Sequence, residues 1–574
     1  MLTGGPPAAT WQSAPLSPIL NGMYILENPV MQRELLVNLR MGRGFILLMV
    51  YQCLLGVVVY LAWPQDTRLD LEANSDDAKK TRNLVDMFFL GQFVVASMMA
   101  PSFAAGSITG EKERKTYEML LASPLRPPAI VLGKLVASLA HLAVLVFSSL
   151  PIVMLCLPLG GVHPSELAAA YLGLMLSVVT FGMISVACSA YFQRTSASLV
   201  VSYLLILIPA LLGVLYWKLL ADYGSLRLFL LVPVAAVSIA LCVGLFVNTS
   251  VLLLHPPDVG SEGKEVVDLE QESQQAVGLV IQRDQFPDKL FAPPKRDDLM
   301  DDDANPVYDK EIRSEIFSQG TLMLRLVIQV SMVLAIPFMA ICLYIYPQLA
   351  AWYICYVVVF NMLVGPVFSA GSVTSERERE TLDLLLTTTI SPFQILWGKL
   401  VAGLRVSSVL TLFLVWPVLL ACVMVSLYWA NLLAVLAYLS IVLITCVTTA
   451  MVALFCSVMA KKSSIAMMSS YLVIIIMFCA PLAIGFFATT FYHDHPVTQA
   501  VKELSFTSPF SAARSIPLDV GALSPEAASQ AAANPKSWML YLCYLVFSVL
   551  LNFGLLVTMM WLFRTRWRVA GLGN

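Results

Sequence analysis

At 574 residues, of which 58% are hydrophobic and only 13% charged, and with a mean hydropathy of +0.79, the chain carries about half the charged fraction of a soluble protein. Its apolar residues come in runs of the roughly 20 residues that a helix needs to cross a bilayer, which excludes a soluble globular fold and predicts an all-α integral membrane protein. A net charge of −2, without any basic patch interleaved with aromatics, offers nothing to a nucleic acid.

Residues 1–27 form a Pro/Gly-rich tail that lacks the basic and apolar regions of a cleaved signal peptide. In residues 28–44, "NPVMQRELLVNLRMGRG", Val30, Leu35, Leu36 and Leu39 mix with Arg33, Glu34, Arg40 and Arg43. That mixture predicts an amphipathic helix along the membrane surface. Spans follow at 45–63, 84–108, 129–158, 167–191, 199–217 and 229–254, with a polar outer loop at 64–83. Residues 255–304 are acidic and Pro-containing, too polar to bury a core, and read as a linker. "NPVYDKEIRSEIF" (305–317) then reopens the pattern, with spans at 323–345, 350–374, 394–425, 430–459, 465–490 and 538–563 and a basic tail at 564–574.

One stretch organises all of this. "PSFAAGSITGEKERKTYEMLLASPLRPP" (101–128) recurs as "PVFSAGSVTSERERETLDLLLTTTISP" (366–392), and the same offset carries on into Gly133-Lys134 and Gly398-Lys399. A third pair, "CSAYFQRTSASLVVSY" (188–203) and "CSVMAKKSSIAMMSSY" (456–471), sits late in each half. The chain is therefore a tandem duplication. Two six-span units, 28–254 and 305–563, make about twelve transmembrane helices with pseudo-twofold symmetry. Cations gather at Lys112, Arg114, Lys115, Arg126, Arg194, Arg377, Arg379, Lys461, Lys462, Arg564, Arg566 and Arg568, which predicts that both termini and both charged repeats are cytoplasmic.

The first charged repeat is expected to be one helix of about three turns, Glu111–Ser123, with Pro101 kinking the span before it and Pro124 ending it. Glu111 and Glu113, like Glu376 and Glu378, should favour its first turn. Ser375 and Glu378 have capping-box spacing, and Gly110 and Glu113 hold those places in the first copy. Tyr117, Leu120 and Leu121, or Leu382, Leu385 and Leu386, form an apolar face; Glu111, Lys112, Lys115 and Glu118 form a wet one. The pattern also suits a loop resting on the bilayer, but recurrence of the same charges in both halves points to docking on a cytoplasmic partner.

"GSITGEKERKTYEMLLASPLRPPAIVLGKLVA" resembles the loop between the second and third spans of ABC-2-type transporter permeases. That family's pattern is close to G-x-x-x-x-E-[KR]-E-x-x-T-x-x-x-L-L-x-[ST]-P followed by G-K. The N-P-V segments resemble its interface helix. The resemblance implies the permease component of an ATP-binding-cassette exporter in a cell membrane, here a bacterial inner membrane. It implies no enzyme and no directly bound cofactor, because ATP and Mg are used by two copies of a cytoplasmic ATPase subunit. Glu111, Glu113, Arg114, Thr116, Tyr117, Glu118, Leu120 and Leu121 would contact or orient one copy. Glu376, Glu378, Arg379, Thr381, Asp383, Leu385 and Leu386 would serve the other. Asn28, Pro29, Arg33 and Glu34, with Asn305, Pro306, Lys310 and Glu311, would belong to the interface helices. Lys115 and Glu380 stand where that family commonly has glycine, and "TTTISP" departs from "ASPL". No G-x-x-x-x-G-K-[ST] phosphate loop occurs.

Three rivals remain in view. An ion-driven carrier with six-plus-six repeats needs titratable groups in mid-membrane, and the spans carry no deep Asp or Glu; Arg405 reads as snorkelling and His141 as an interior histidine. A membrane enzyme would have to use "HDH" at 493–495, where no third metal ligand is evident. The eleven cysteines, with no C-x-x-C, read as buried small hydrophobes. A structural subunit worked by the ATPase, and the nature of the cargo (lipid, drug, peptide or saccharide), both stay open.

Overall fold

The computed structural model describes residues 28–39, 42–62, 76–123, 125–154, 162–193, 195–219, 227–254, 305–313, 321–491, 505–518 and 538–571. The tail 1–27, the linker 255–304, Arg40, Pro124, Arg194 and the His-Asp-His sequence at 493–495 lie outside the described residues.

The first half comprises α1 (Pro29–Leu39), α2 (Gly42–Ala62), α3 (Asp76–Ala104), α4 (Gly106–Glu113), α5 (Tyr117–Leu121), α6 (Pro127–Ser148), α7 (Leu150–Met154), α8 (Pro164–Tyr191), α9 (Thr195–Leu219) and α10 (Arg227–Leu254). The second runs from α11 (Pro306–Arg313) through α12 (Thr321–Met339), α13 (Ala350–Ala370), α14 (Thr374–Glu378), α15 (Leu382–Leu386), α16 (Pro392–Met424) and α17 (Ser426–Ala430). It ends with α18 (Leu432–Met459), α19 (Ser463–Phe478), α20 (Ala480–Phe491), α21 (Pro509–Ser515) and α22 (Trp538–Gly571). Among the described residues ten segments are long and apolar enough to cross a membrane, and the shorter apolar stretches of α2 and α12 occupy the first predicted span of each half. The expected two-times-six plan is what the helices form, with no strand among the described residues.

Local chemistry sets several of the starts. Pro127, Pro164 and Pro392 stand at the first turns of α6, α8 and α16, where a missing N–H costs nothing and the fixed φ is already helical. At α16 the Ser391 hydroxyl accepts from the Gln394 N–H and the Gln394 side chain accepts from the Ser391 N–H, a complete capping box. The "TTTISP" departure in the second copy thus installs the box at the head of the next span.

In each half the fourth span is the hub. α8 packs on α3, α6, α9 and α10, and α18 packs on α13, α16, α19 and α22. The halves meet through their fifth spans: α9 lies against α12 and α13, and α19 and α20 lie against α3.

The second half departs from the first beyond its fourth span. Its fifth span is one membrane-length segment, Ile465–Thr489, as expected, with a single-residue turn at Cys479 between α19 and α20. The short α21, not foreseen from sequence, buries Ala512 and Ala513 against α13, α18 and α22. Helix α22 also runs on to Gly571, through residues expected to be a separate basic tail beyond 563.

Candidate functional site

The charged repeat is not one helix. A helix forms early, at Gly106, because the Ser189 hydroxyl accepts the N–H groups of Ile108 (3.0 Å) and Thr109 (2.9 Å), donors that a helix start leaves unpaired. It then stops at Arg114. Lys115 takes φ = +57°, and in the second copy Glu380 takes φ = +58°. Around Lys115 the N–H of Thr116 donates to the Glu111 carbonyl (2.9 Å) and the N–H of Lys115 to the Lys112 carbonyl (3.1 Å), the paired bonds of a Schellman C-cap. Glu376, Arg377, Glu380 and Thr381 reproduce both bonds at 2.9 and 3.2 Å. A left-handed residue is required there, which accounts for the glycine common at this place in ABC-2-type sequences. A short second helix, α5 or α15, follows at an angle fixed by that turn.

This break overturns three local expectations. Glu111 and Glu113 fall at the end of α4 rather than in a first turn, whereas Glu376 does stand in the first turn of α14, with Glu378 at its end. Ser375 lies inside α14, whose N-cap is Val373, so no capping box forms with Glu378. And the apolar face of Tyr117, Leu120 and Leu121 packs on the chain's own spans, as do Leu382 and Leu386. Burial pushes the Tyr117 phenol above its ordinary pKa, and its hydroxyl donates to the Leu253 carbonyl at 2.8 Å. Facing outward instead are Met119, 68% exposed, and Leu384, 69% exposed, ringed by exposed Arg114, Lys115 and Glu118 or Arg379, Glu380 and Asp383.

What turns inward ties three separate sequence motifs together. Lys134 on α6 is 4% exposed and Lys399 on α16 is 2% exposed, so each needs a compensating charge. Lys134 lies 3.5 Å from Glu34 of α1 and 3.4 Å from Glu111 of α4. Lys399 lies 2.5 Å from Glu311 of α11 and 3.6 Å from Glu376 of α14, and donates to the Ser372 carbonyl at 2.9 Å. Lys310 adds a 2.7 Å pair to Glu376, and the hydroxyls of Thr116 and Thr381 donate to Glu111 and Glu376. Each N-terminal helix (α1 or α11), charged repeat (α4 or α14) and third span (α6 or α16) is thus tied through one buried ammonium.

The glycine before each lysine makes room. A Cβ on Gly133 would sit 3.0 Å from Asn28 Nδ2 and 3.2 Å from the Met31 N; on Gly398 it would sit 3.0 Å from the Tyr308 N. The start of each interface helix therefore rests directly on its third span. Asn28 and Asn305 cap those starts, accepting from the N–H of Val30 and Val307, both at 3.0 Å, with Pro29 and Pro306 at the first helical position. Their amides reach across to the carbonyls of Ala129 (2.5 Å) and Gln394 (2.8 Å). Arg33 is exposed.

The element also grips the fourth and fifth spans. Lys112 donates to the carbonyls of Ala190 (2.5 Å) and Phe192 (3.1 Å) at the end of α8, and Arg377 to those of Ala460 and Val458 at the end of α18. Cations there complement the negative helix end. Glu113 accepts from the Thr195 N–H at 2.8 Å, at the head of α9. Glu378 accepts from the N–H (3.0 Å) and hydroxyl (2.8 Å) of Ser463, at the head of α19. In the sequence these lysines and serines stand out only through the register shared by the two halves.

With this geometry in hand, the profile of the ABC-2 family transporter proteins matches residues 29–223 and again 236–566. The chain belongs to the ABC-2 family of transporter proteins. It holds two ABC-2 units in one polypeptide and is a multi-pass membrane permease of an ABC transporter. No curated protein sequence matches it. Among the described residues of this ABC-2 permease, no group of three or more His, Cys, Asp or Glu side chains is placed to hold a metal ion.

Proposed function

We propose that this ABC-2 permease supplies both halves of the membrane domain of an ATP-driven exporter, with both coupling elements on the cytoplasmic side and one separate ATPase subunit docked beneath each. The carrying observation is the two-sided build of the elements. One side is fastened to three spans of the membrane domain: to the third through Lys134 or Lys399, to the fourth through Ser189 or Ser457 and Lys112 or Arg377, and to the fifth through Glu113 or Glu378. The other side offers one exposed apolar residue, Met119 or Leu384, within a charged ring, the form of a knob for a partner's groove.

In this reading ATP and Mg are bound and turned over in the partner subunits. Their closure moves the two elements, and the motion passes into α1, α6, α8 and α9, and into α11, α16, α18 and α19. The test is to purify the full chain from its native membranes with Met119→Asp and Leu384→Asp in place. Loss of an ATPase that comes with the parent chain, in two copies, is expected. Undiminished recovery of that ATPase with the doubly substituted chain overturns the docking assignment.

A further inference from the structure

Tyr203 of α9 and Tyr471 of α19 touch each other across the two halves, with ring centroids 4.9 Å apart and ring planes 57° apart. They are the closing residues of the two matched strings 188–203 and 456–471, so they hold equivalent places in the repeat. Equivalent residues that meet must straddle the pseudo-twofold axis. That axis is where a path bounded equally by both halves would run. Both side chains are 1% exposed. Each hydroxyl donates to a carbonyl of the second span of its own half, Tyr203 to Met98 and Tyr471 to Leu363, both at 2.6 Å. Ser102 adds a further bond to the Tyr203 hydroxyl at 2.7 Å, while the matching place in the other half is Val367.

We infer that Tyr203 and Tyr471 form the gate on the coupling-element side of the transport path, and that the coupling elements drive it through the first turns of α9 and α19. Each tyrosine lies eight residues beyond the residue that the element grips, Thr195 or Ser463, a rise of about 12 Å along one unbroken helix. In a hydrocarbon layer of roughly 30 Å, that depth is the half nearer the elements. Helices transmit a push along their axis because every backbone bond lies within the segment. A displacement at Glu113 or Glu378 thus reaches the rings with no loop between. The rings have two places to rest: against each other, as here, or swung apart about hydroxyls tied to α3 and α13. Cargo entering from this side passes between two phenol faces.

The inference rests on the transport reading, but its test needs neither ATPase nor cargo. Ile474, one turn beyond Tyr471 on the same helix face and fully buried, is replaced by Cys in the full chain. The chain is reconstituted in phosphatidylcholine–phosphatidylglycerol vesicles with the coupling elements outward. A membrane-impermeant thiol reagent is then added outside. Ile474→Cys is expected to be shielded in the parent and to react more than about tenfold faster with Tyr203→Ala and Tyr471→Ala. Tyr203→Phe with Tyr471→Phe, which keeps both rings, is expected to stay near the parent rate. The native thiol Cys446, buried in α18, is expected to stay unreactive throughout. An equal rate at Ile474→Cys in parent and Ala variants overturns the gate, and so does acceleration shared by Cys446, which would mark general loosening. Should the double Ala chain fail to purify, the single Tyr203→Ala and Tyr471→Ala chains are read by the same criterion.

Discussion

Glu113 accepts the backbone N–H of Thr195 at 2.8 Å, and Glu378 repeats the bond with Ser463 at 3.0 Å. A carboxylate placed on the free donors of a helix start satisfies groups that would otherwise be unpaired and faces the positive end of the helix dipole. The bond is therefore both a cap for the fifth span and, beside the Thr109–Thr195 and Thr374–Ser463 hydroxyl contacts, a link between that span and the charged repeat. Replacing Glu113 or Glu378 by Ala is expected to cost about 1 kcal/mol of stability and to weaken any ATPase stimulation by the permease far more than that loss explains. Thermal unfolding in detergent and ATPase turnover of the assembled complex check the two halves of the statement; parallel losses would reduce the bond to a plain cap.

Lys399 is the tighter of the two buried hubs. Lys399→Met removes the buried ammonium from Glu311 and Glu376, while Glu376 keeps its 2.7 Å pair with Lys310. The loss should therefore stay below the roughly 3–5 kcal/mol of a fully broken buried pair, at about 2–3 kcal/mol. Lys134→Met is expected to cost less, since its two contacts are 3.4 and 3.5 Å long. Adding Glu311→Leu and Glu376→Gln to Lys399→Met should restore a good part of the loss. Chemical or thermal unfolding in detergent measures all three.

Gly398→Ala drives a methyl to 3.0 Å from a backbone nitrogen that cannot rotate away. A clash of that kind costs about 1–3 kcal/mol, and α11 is the element free to move. Faster amide hydrogen exchange over Pro306–Arg313, with α16 unchanged, is the expected result.

At Lys115 and Glu380 the backbone is left-handed, a region that costs a side chain with a Cβ about 1–2 kcal/mol. Glycine relieves this but loses more freedom on folding, by up to about 1 kcal/mol. Lys115→Gly and Glu380→Gly are accordingly expected to leave the unfolding temperature unchanged or slightly raised. Lys115→Val, branched at Cβ, should lower it clearly. Equal behaviour of Gly and Val would show that the turn does not need its φ.

Spans and duplication were legible because lipid demands long apolar runs and because the repeat preserves a register. The charged repeat was legible as a place but not as a shape. Its charges suggested one continuous helix, whereas the Schellman turn at Lys115 depends on backbone geometry that only the family's habitual glycine hints at. The partners of Glu113 and Glu378 lie 82 and 85 positions away in sequence, beyond the reach of local capping patterns. Gly133 and Lys134 were visible as a recurring pair, yet only packing against Asn28 and Glu34 shows why both are needed. Tyr203 and Tyr471 ended the two matched strings without any local pattern to mark them as neighbours, since their meeting is a property of the axis between the halves.

The turn that Lys115 and Glu380 share has a consequence for how such a machine can change. Where two identical subunits pair, any new charge appears on both sides at once. Here a cation stands on one foot and an anion on the other over the same backbone bend, because a single gene writes left and right separately. One half is thereby free to specialise while the other keeps the original fit.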